Sequence, residues 1–175
     1  MPLHVVLFQP EIPPNTGNIM RTCAATGTKL HLIEPLGFSL DEKYVRRAAM
    51  DYYQFVDYTV YPDAESFFAQ NQGSFYMLSR HGRKTYDQFN YADVEEDIYF
   101  CFGSESSGIP KAIIQQHLDT ALRIPMNEHV RSLNLSNCAM LLVFEALRQQ
   151  GFPHLSLVEP ESQKGYDWIV TPESE

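Results

Sequence analysis

The sequence predicts an α/β fold, a mostly parallel sheet flanked by helices, and three observations carry that prediction. Strand-like and helix-like runs alternate along the chain. The strand-like runs are apolar on both faces, as strands covered by helices on both sides must be. The polar, turn-rich segments follow strands and open helices, which gathers them beyond the carboxyl ends of the strands, where such sheets form sites. A length of 175 residues favours one domain with an ordinary core.

The elements follow in order. Leu3 to Gln9 is β-branched and apolar, bounded by Pro10, and reads as a buried strand. Asn15 or Thr16 can cap a helix to about Ala25, with Gly27 as its stop. Lys29 to Glu34 is a second strand, closed by Pro35. Asp41 can cap a helix through Ala49. Phe55 to Tyr61 reads as a strand, Asp63 to Gln70 as a short helix, and Phe75 to Arg80 as a strand leading to a polar loop. Ile98 to Phe102 is a strand, Pro110 suits the first turn of a helix to His117, and Ala121 to Ile124 is the last strand. Leu135 to Gln150 is the longest helix, stopped by Gly151 and Pro153. Its apolar residues, from Met140 to Leu147, exceed one buried face, which fits either a central core helix or a two-fold partner. Beyond it, residues 156–175 read as a tail. Trp168, Ile169 and Val170 could dock on the body or on a partner chain, and Thr171 to Glu175 are expected to be mobile.

Composition narrows the class. Hydrophobic content of 44% and aromatic content of 13% argue against a disordered chain. The formal charge is -9, from 13 Lys+Arg against 22 Asp+Glu, which is not the footprint of a generic nucleic-acid binder. A local basic patch can still outweigh the sum. Lys43, Arg46 and Arg47 form one such group, and Arg80, Arg83 and Lys84 another. Cys23, Cys101 and Cys138 each sit among apolar neighbours and read as reduced and buried. No spacing of His and Cys suggests a metal. No signal peptide and no membrane span is visible, so a cytoplasmic home is expected.

Three polar loops carry the chemistry. Gly103 and Gly108 bracket Ser104 to Ser107, and either hug a flat ligand such as an adenosine or make an ordinary turn with Ser106 or Ser107 as helix cap. The sequence has neither GxGxxG nor GxxxxGK[ST]. Asn15 to Asn18 lead into Arg21, which reads as an anion site at a helix N-terminus, or as a cap with a surface arginine. Arg131, Ser132 and Asn134 precede the last helix; Asn134 or Ser136 can cap it, and Leu133 and Leu135 suggest a loop folded inward onto a ligand. His81, His129 and His154 read as solvated or structural.

Taken together, Pro14 to Gly27 (PNTGNIMRTCAATG), Phe102 to Pro110 (FGSESSGIP) and Ile124 to Asn137 (IPMNEHVRSLNLSN) resemble, in order and spacing, the three motifs of the SPOUT-class RNA 2′-O-ribose methyltransferases. With no room for an added RNA-binding domain, the chain is most similar to the minimal branch, which modifies the tRNA wobble nucleotide, cytidine or uridine 34. The similarity spans about residues 3 to 153. It implies a C-terminal deep trefoil knot, an obligate homodimer, tRNA as partner, and S-adenosyl-L-methionine as cofactor. By motif matching the cofactor would contact Leu78, Gly103, Ile124 and Ser132, with Glu105, Met126 and Leu133 nearby. Arg21 matches the arginine beside the reacting ribose, Asn15 its neighbour, and Asn134 the motif's asparagine. Arg46, Arg47, Arg80 and Arg131 are the candidate RNA contacts. One residue departs from the pattern: Phe144 stands where the family's last helix carries tyrosine. A ribose hydroxyl is a poor nucleophile, yet the motifs offer no histidine or carboxylate as base. Arginine stays protonated, so Arg21 is expected to orient the phosphate or ribose and stabilise developing alkoxide.

Overall fold

A computed structural model describes residues 2–41 and 43–172; residues 173–175 of the expected mobile end lie outside the described residues. The strands are β1 (Leu3–Phe8), β2 (Lys29–Ile33), β3 (Tyr58–Tyr61), β4 (Ser74–Leu78), β5 (Lys84–Thr85), β6 (Ile98–Phe102) and β7 (Ala121–Arg123). They form one sheet in the order β3-β2-β1-β6-β4-β7-β5, and every pairing is parallel. The helices are α1 (Pro13–Thr26), α2 (Lys43–Ala49), α3 (Ala64–Gln70), α4 (Lys111–Gln115) and α5 (Leu135–Gln149).

Alternation along each strand feeds two cores. Val5 and Leu7 of β1 join Leu30, Phe100, Ile19 and Leu142 on the side that carries α1 and α5. Val6 and Phe8 point the other way, into Phe67, Tyr99 and Met77. Burial on both faces explains why these strands read as continuous apolar runs. Two helices meet at Gly17: a Cβ there would lie 2.5 Å from the Ala48 Cβ and 2.6 Å from the Val45 carbonyl, so α1 and α2 touch backbone to backbone.

Several boundaries differ from the sequence reading, each for a local reason. α1 starts at Pro13, whose ring suits the first turn, so Asn15 and Thr16 lie inside the helix rather than capping it. Arg21 consequently sits more than two turns in. Asp41 accepts from Arg46 Nη2 at 2.7 Å, and α2 begins at Lys43. The expected strand from Phe55 starts only at Tyr58, because Met50–Phe55 continues α2 as a 3-10 turn. Neither Ser106 nor Ser107 caps α4; the Ser104 and Ser107 hydroxyls bond each other at 2.6 Å, and Pro110 precedes the helix. The loop from Asn127 to Asn134 is exposed rather than folded inward. On α5, Leu142, Val143 and Leu147 are buried while Met140 and Phe144 remain exposed. Trp168, Ile169 and Val170 do not dock on the body: all three are exposed, with Lys164 Nζ 4.2 Å from the Trp168 ring centroid. The three cysteines are free and buried, as expected.

Across β1, β2 and β3 runs a polar chain, buried at both histidines. Asp97 meets His4 Nε2 at 3.2 Å, His4 Nδ1 meets His31 Nε2 at 2.8 Å, and His31 Nδ1 meets the Tyr61 hydroxyl at 3.0 Å. Burial holds both histidines below their ordinary range, His31 down to about 4, with Asp97 opposing the shift at His4. The folded protein therefore keeps His31 neutral where the unfolded chain takes up a proton. Stability should be full above pH ~6.5 and fall as pH drops from there toward about 4, by on the order of 3 kcal/mol from His31 alone. Urea unfolding between pH 7.5 and 4.5 checks this. His31→Phe should flatten the slope, and an unchanged slope would refute the assignment.

Candidate active site

The neighbouring strands β6, β4 and β7 end together, and their carboxyl ends place Gly103, Leu78 and Ile124 along one edge of the sheet. Ile124 is buried and Leu78 half-buried, so this edge offers apolar side chains beside bare backbone at Gly103. The Gly103 loop doubles back tightly: a Cβ on Gly103 would lie 1.8 Å from the Gly108 carbonyl carbon. Ser104 pairs with Gly108 to close it.

A continuous hydrogen-bonded chain ties three loops together. Glu105 Oε2 accepts from the Glu11 amide at 2.8 Å, and Oε1 accepts from the Ile12 amide at 3.2 Å and from Asn15 Nδ2 at 3.0 Å. Asn15 Oδ1 then accepts from Asn134 Nδ2 at 2.9 Å. Asn134 caps α5, its Oδ1 accepting from the Ser136 amide at 2.9 Å and hydroxyl at 2.6 Å, and from the Asn137 amide at 3.3 Å. Residues 105, 15 and 134 come from three separate segments, and the topology alone brings them within bonding reach. The backbone donors leading into α1, which resembled a free anion site, are taken by the protein's own carboxylate. Glu105, expected beside the cofactor, faces Asn15.

Arg21 projects from α1 at the surface. Its Nη1 lies 3.1 Å from Met50 Sδ, and its Cζ is 5.4 Å from the centre of the Tyr52 ring. Met126 is half-buried; Arg131, Ser132 and Leu133 are exposed on the loop before α5. Arg46 and Arg47 lie on α2, packed against α1, with Arg46 engaged by Asp41 and placed 5.5 Å over Tyr53. Arg80 sits instead in the loop at the β5 edge, its Nε donating to His81 Nε2 at 3.1 Å. Phe144 is exposed on α5 without a hydroxyl to offer.

Among the described residues, Arg21 makes no hydrogen bond or ion pair with a histidine or carboxylate. His4, near the amino end of β1, and His31, in the middle of β2, lie on the sheet face opposite α1. The thiols are no substitute: burial pushes Cys23 up to about 12 and Cys138 to about 11, and raises Cys101 as well. Among the described residues no group of His, Cys, Asp and Glu could hold a metal ion. Sequence reasoning missed the role of Glu105 as a brace and the Met50–Tyr52 rest for Arg21. The run Met50-Asp-Tyr-Tyr53 after α2 was the available signal.

The profile of the SpoU rRNA Methylase family matches residues 2–144. The chain belongs to that family. SpoU relatives with defined names sharpen the comparison. A tRNA (cytidine(34)-2′-O)-methyltransferase of Escherichia coli K12 is 43% identical over 153 residues, 86% of this chain and 96% of its own. A Bacillus subtilis protein named provisionally for the same reaction is 57% identical over 155 residues, 87% of this chain and 96% of its own. A solved structure described as giving insight into 2′-OH methylation of C/U34 on tRNA superposes with a TM-score of 0.80 at 38% identity, covering 85% of this chain and 96% of that one. The SpoU fold, a parallel sheet with flanking helices, extends to more distant structures. One, a Streptomyces viridochromogenes SpoU methyltransferase bound to AdoMet, has a TM-score of 0.71 at 23% identity and covers 85% of this chain and 58% of that one.

Proposed function

We propose that this SpoU protein methylates the 2′-oxygen of the ribose at position 34 of tRNA, cytidine or uridine, using S-adenosylmethionine. The observation that carries the reading is the Glu105–Asn15–Asn134 chain, which assembles the three motif loops into one site. The residues present fit the cofactor: Leu78 and Ile124 offer apolar surface for an adenosine, and bare backbone at Gly103 allows close approach. Met126, Ser132 and Leu133 would complete the pocket, with Glu105 bracing it. When bound, S-adenosylmethionine supplies a methyl carbon already activated by the adjacent sulfonium.

The protein's own task is then positioning. Asn15 and Asn134 fix the loops around the ribose. Arg21 clamps the phosphate or sugar and stabilises negative charge growing on the 2′-oxygen. Arg46, Arg47, Arg80 and Arg131 supply phosphate contacts. With no hydroxyl at Phe144, catalysis does not run through that position.

Residues 1–155 form the catalytic unit and 156–175 a tail. The loop from Ser79 to Arg83 arches over β7: its Ser79 and Arg83 amides bond the Leu122 and Ala121 carbonyls, and Gly82 presses on the Leu122 backbone. That crossing supports a trefoil knot closed by the segment after β7. Exposed Met140 and Phe144 on α5 support a homodimer, and a tRNA substrate supports a cytoplasmic home; no helix among the described residues is long and apolar enough to cross a membrane.

Incubating the protein with methyl-labelled cofactor and total RNA, then mapping the label, tests the reaction. Label on the ribose of tRNA nucleotide 34 is expected. Label confined to ribosomal RNA would favour the reaction that the family's name describes, and no label would leave a non-catalytic module. Arg21→Lys keeps the charge and removes the fork. It should lower kcat at saturating tRNA about 100-fold, and unchanged kinetics would dismiss the clamp.

A further inference from the structure

Beside Arg21 lies a surface of which the reaction above uses only the Arg46 and Arg47 charges. The segment from Lys43 to Phe55 (KYVRRAAMDYYQF) interleaves cations with aromatic rings. α2 turns Val45 and Ala49 inward and leaves Lys43, Tyr44, Arg46 and Arg47 exposed. The following 3-10 turn leaves Met50, Tyr52 and Phe55 exposed, Phe55 by 67%. Large apolar groups kept in water next to cations mark a contact surface.

The two tyrosines of this turn are used differently. Tyr53 is structural: it is half-buried, its hydroxyl lies 3.2 Å from that of Tyr58, and Arg46 covers its ring while bound to Asp41. The Tyr52 hydroxyl makes no hydrogen bond among the described residues, and the Arg21 guanidinium lies over its ring. That hold is weak. A thioether is a poor acceptor, and an exposed cation–π contact is modest. A phosphate or sugar oxygen outcompetes both through charge-assisted hydrogen bonds. Once Arg21 turns to the RNA, it bares a ring face at the site.

We propose that Tyr52 is a stacking platform for an unpaired base at or beside the methylated nucleotide, uncovered when Arg21 moves from the ring to the RNA backbone. This rests on the methyltransferase reading and names what holds its substrate. Unpaired RNA bases are recognised by stacking on aromatic rings, and Lys43 and Arg47 on the same surface match the adjoining phosphates. The same charges disfavour a second copy here, because a two-fold contact through this patch would set its cations against themselves.

Anticodon stem-loop RNAs carrying 2-aminopurine at position 33, 34 or 35 provide the probe. Wild type and Tyr52→Phe should quench one of the three on binding. Tyr52→Leu should bind about ten-fold more weakly (~1.4 kcal/mol) without that quench, with the loss falling on KM rather than kcat. Equal quenching in wild type and Tyr52→Leu overturns the platform. So does a loss confined to kcat, which would make Tyr52 a rest for Arg21 only. A shift of Tyr52→Leu to a smaller species in sedimentation also overturns it, by showing that a second copy covers the ring. A wild type that quenches the probe but methylates no RNA would instead sink the methyl-transfer reading and leave the platform standing.

Discussion

Glu105→Ala should reduce methyl transfer by 10²- to 10³-fold while costing only about 1–3 kcal/mol of stability. The two effects separate because of where the partners lie. The Glu11 and Ile12 amides are near solvent, so water can replace the lost carboxylate and limit the cost of unfolding. Water cannot hold Asn15 in one orientation. Asn15 fixes Asn134, and Asn134 fixes the start of α5, so releasing the carboxylate loosens two loops of the site at once. Glu105→Gln is the sharper variant. It preserves shape but turns one acceptor into a donor. If the amide oxygen faces Ile12 and Asn15, its nitrogen faces the Glu11 amide, donor against donor. Single-turnover rates beside urea unfolding distinguish the outcomes, and a Gln variant at wild-type speed would show that Glu105 braces nothing the reaction needs.

The balance between legible and illegible features has a physical pattern. Strands β1, β2 and β6 were plain because burial on both faces makes them mostly apolar, a signal that needs no partner to be seen. β5 was invisible: it is two residues long, and only pairing with β7 makes it a strand. α1 was found, but its start was misplaced, because Asn15 and Thr16 look like caps until the preceding prolines are given their due. Their polarity answered a tertiary need, since Asn15 is spent on Glu105 and Asn134. The same holds for the site. The three loops could be picked out as polar segments between strands and helices, whereas the bonds joining positions 15, 105 and 134 depend on strand order, which local pattern does not encode. His4 and His31 each lie inside an apolar strand, and nothing in the spacing announces that parallel pairing stacks them into one buried chain.

Gly103→Ala should cost ~3 kcal/mol or more and abolish cofactor binding, whereas Gly108→Ala in the same loop should cost about 1 kcal/mol and weaken binding far less. The sequence treats the two glycines alike, but the structure separates their reasons. At Gly103 the obstacle is space: a Cβ would meet the Gly108 carbonyl carbon at 1.8 Å, the Ile109 amide nitrogen at 2.0 Å and the Gly108 Cα at 2.4 Å. All three are backbone atoms, so no side chain can swing aside, and the loop must open. Opening it moves Glu105, two residues on, away from Asn15. At Gly108 the obstacle is conformation alone: φ is +72°, and nothing stands within 4 Å of the added atom. An alanine there accepts left-handed strain and leaves its neighbours in place. Calorimetry with S-adenosylhomocysteine, beside thermal melting of both variants, reads the contrast directly. Equal losses at the two positions would mean that the loop tolerates opening, and that close backbone contact at Gly103 is not what shapes the pocket.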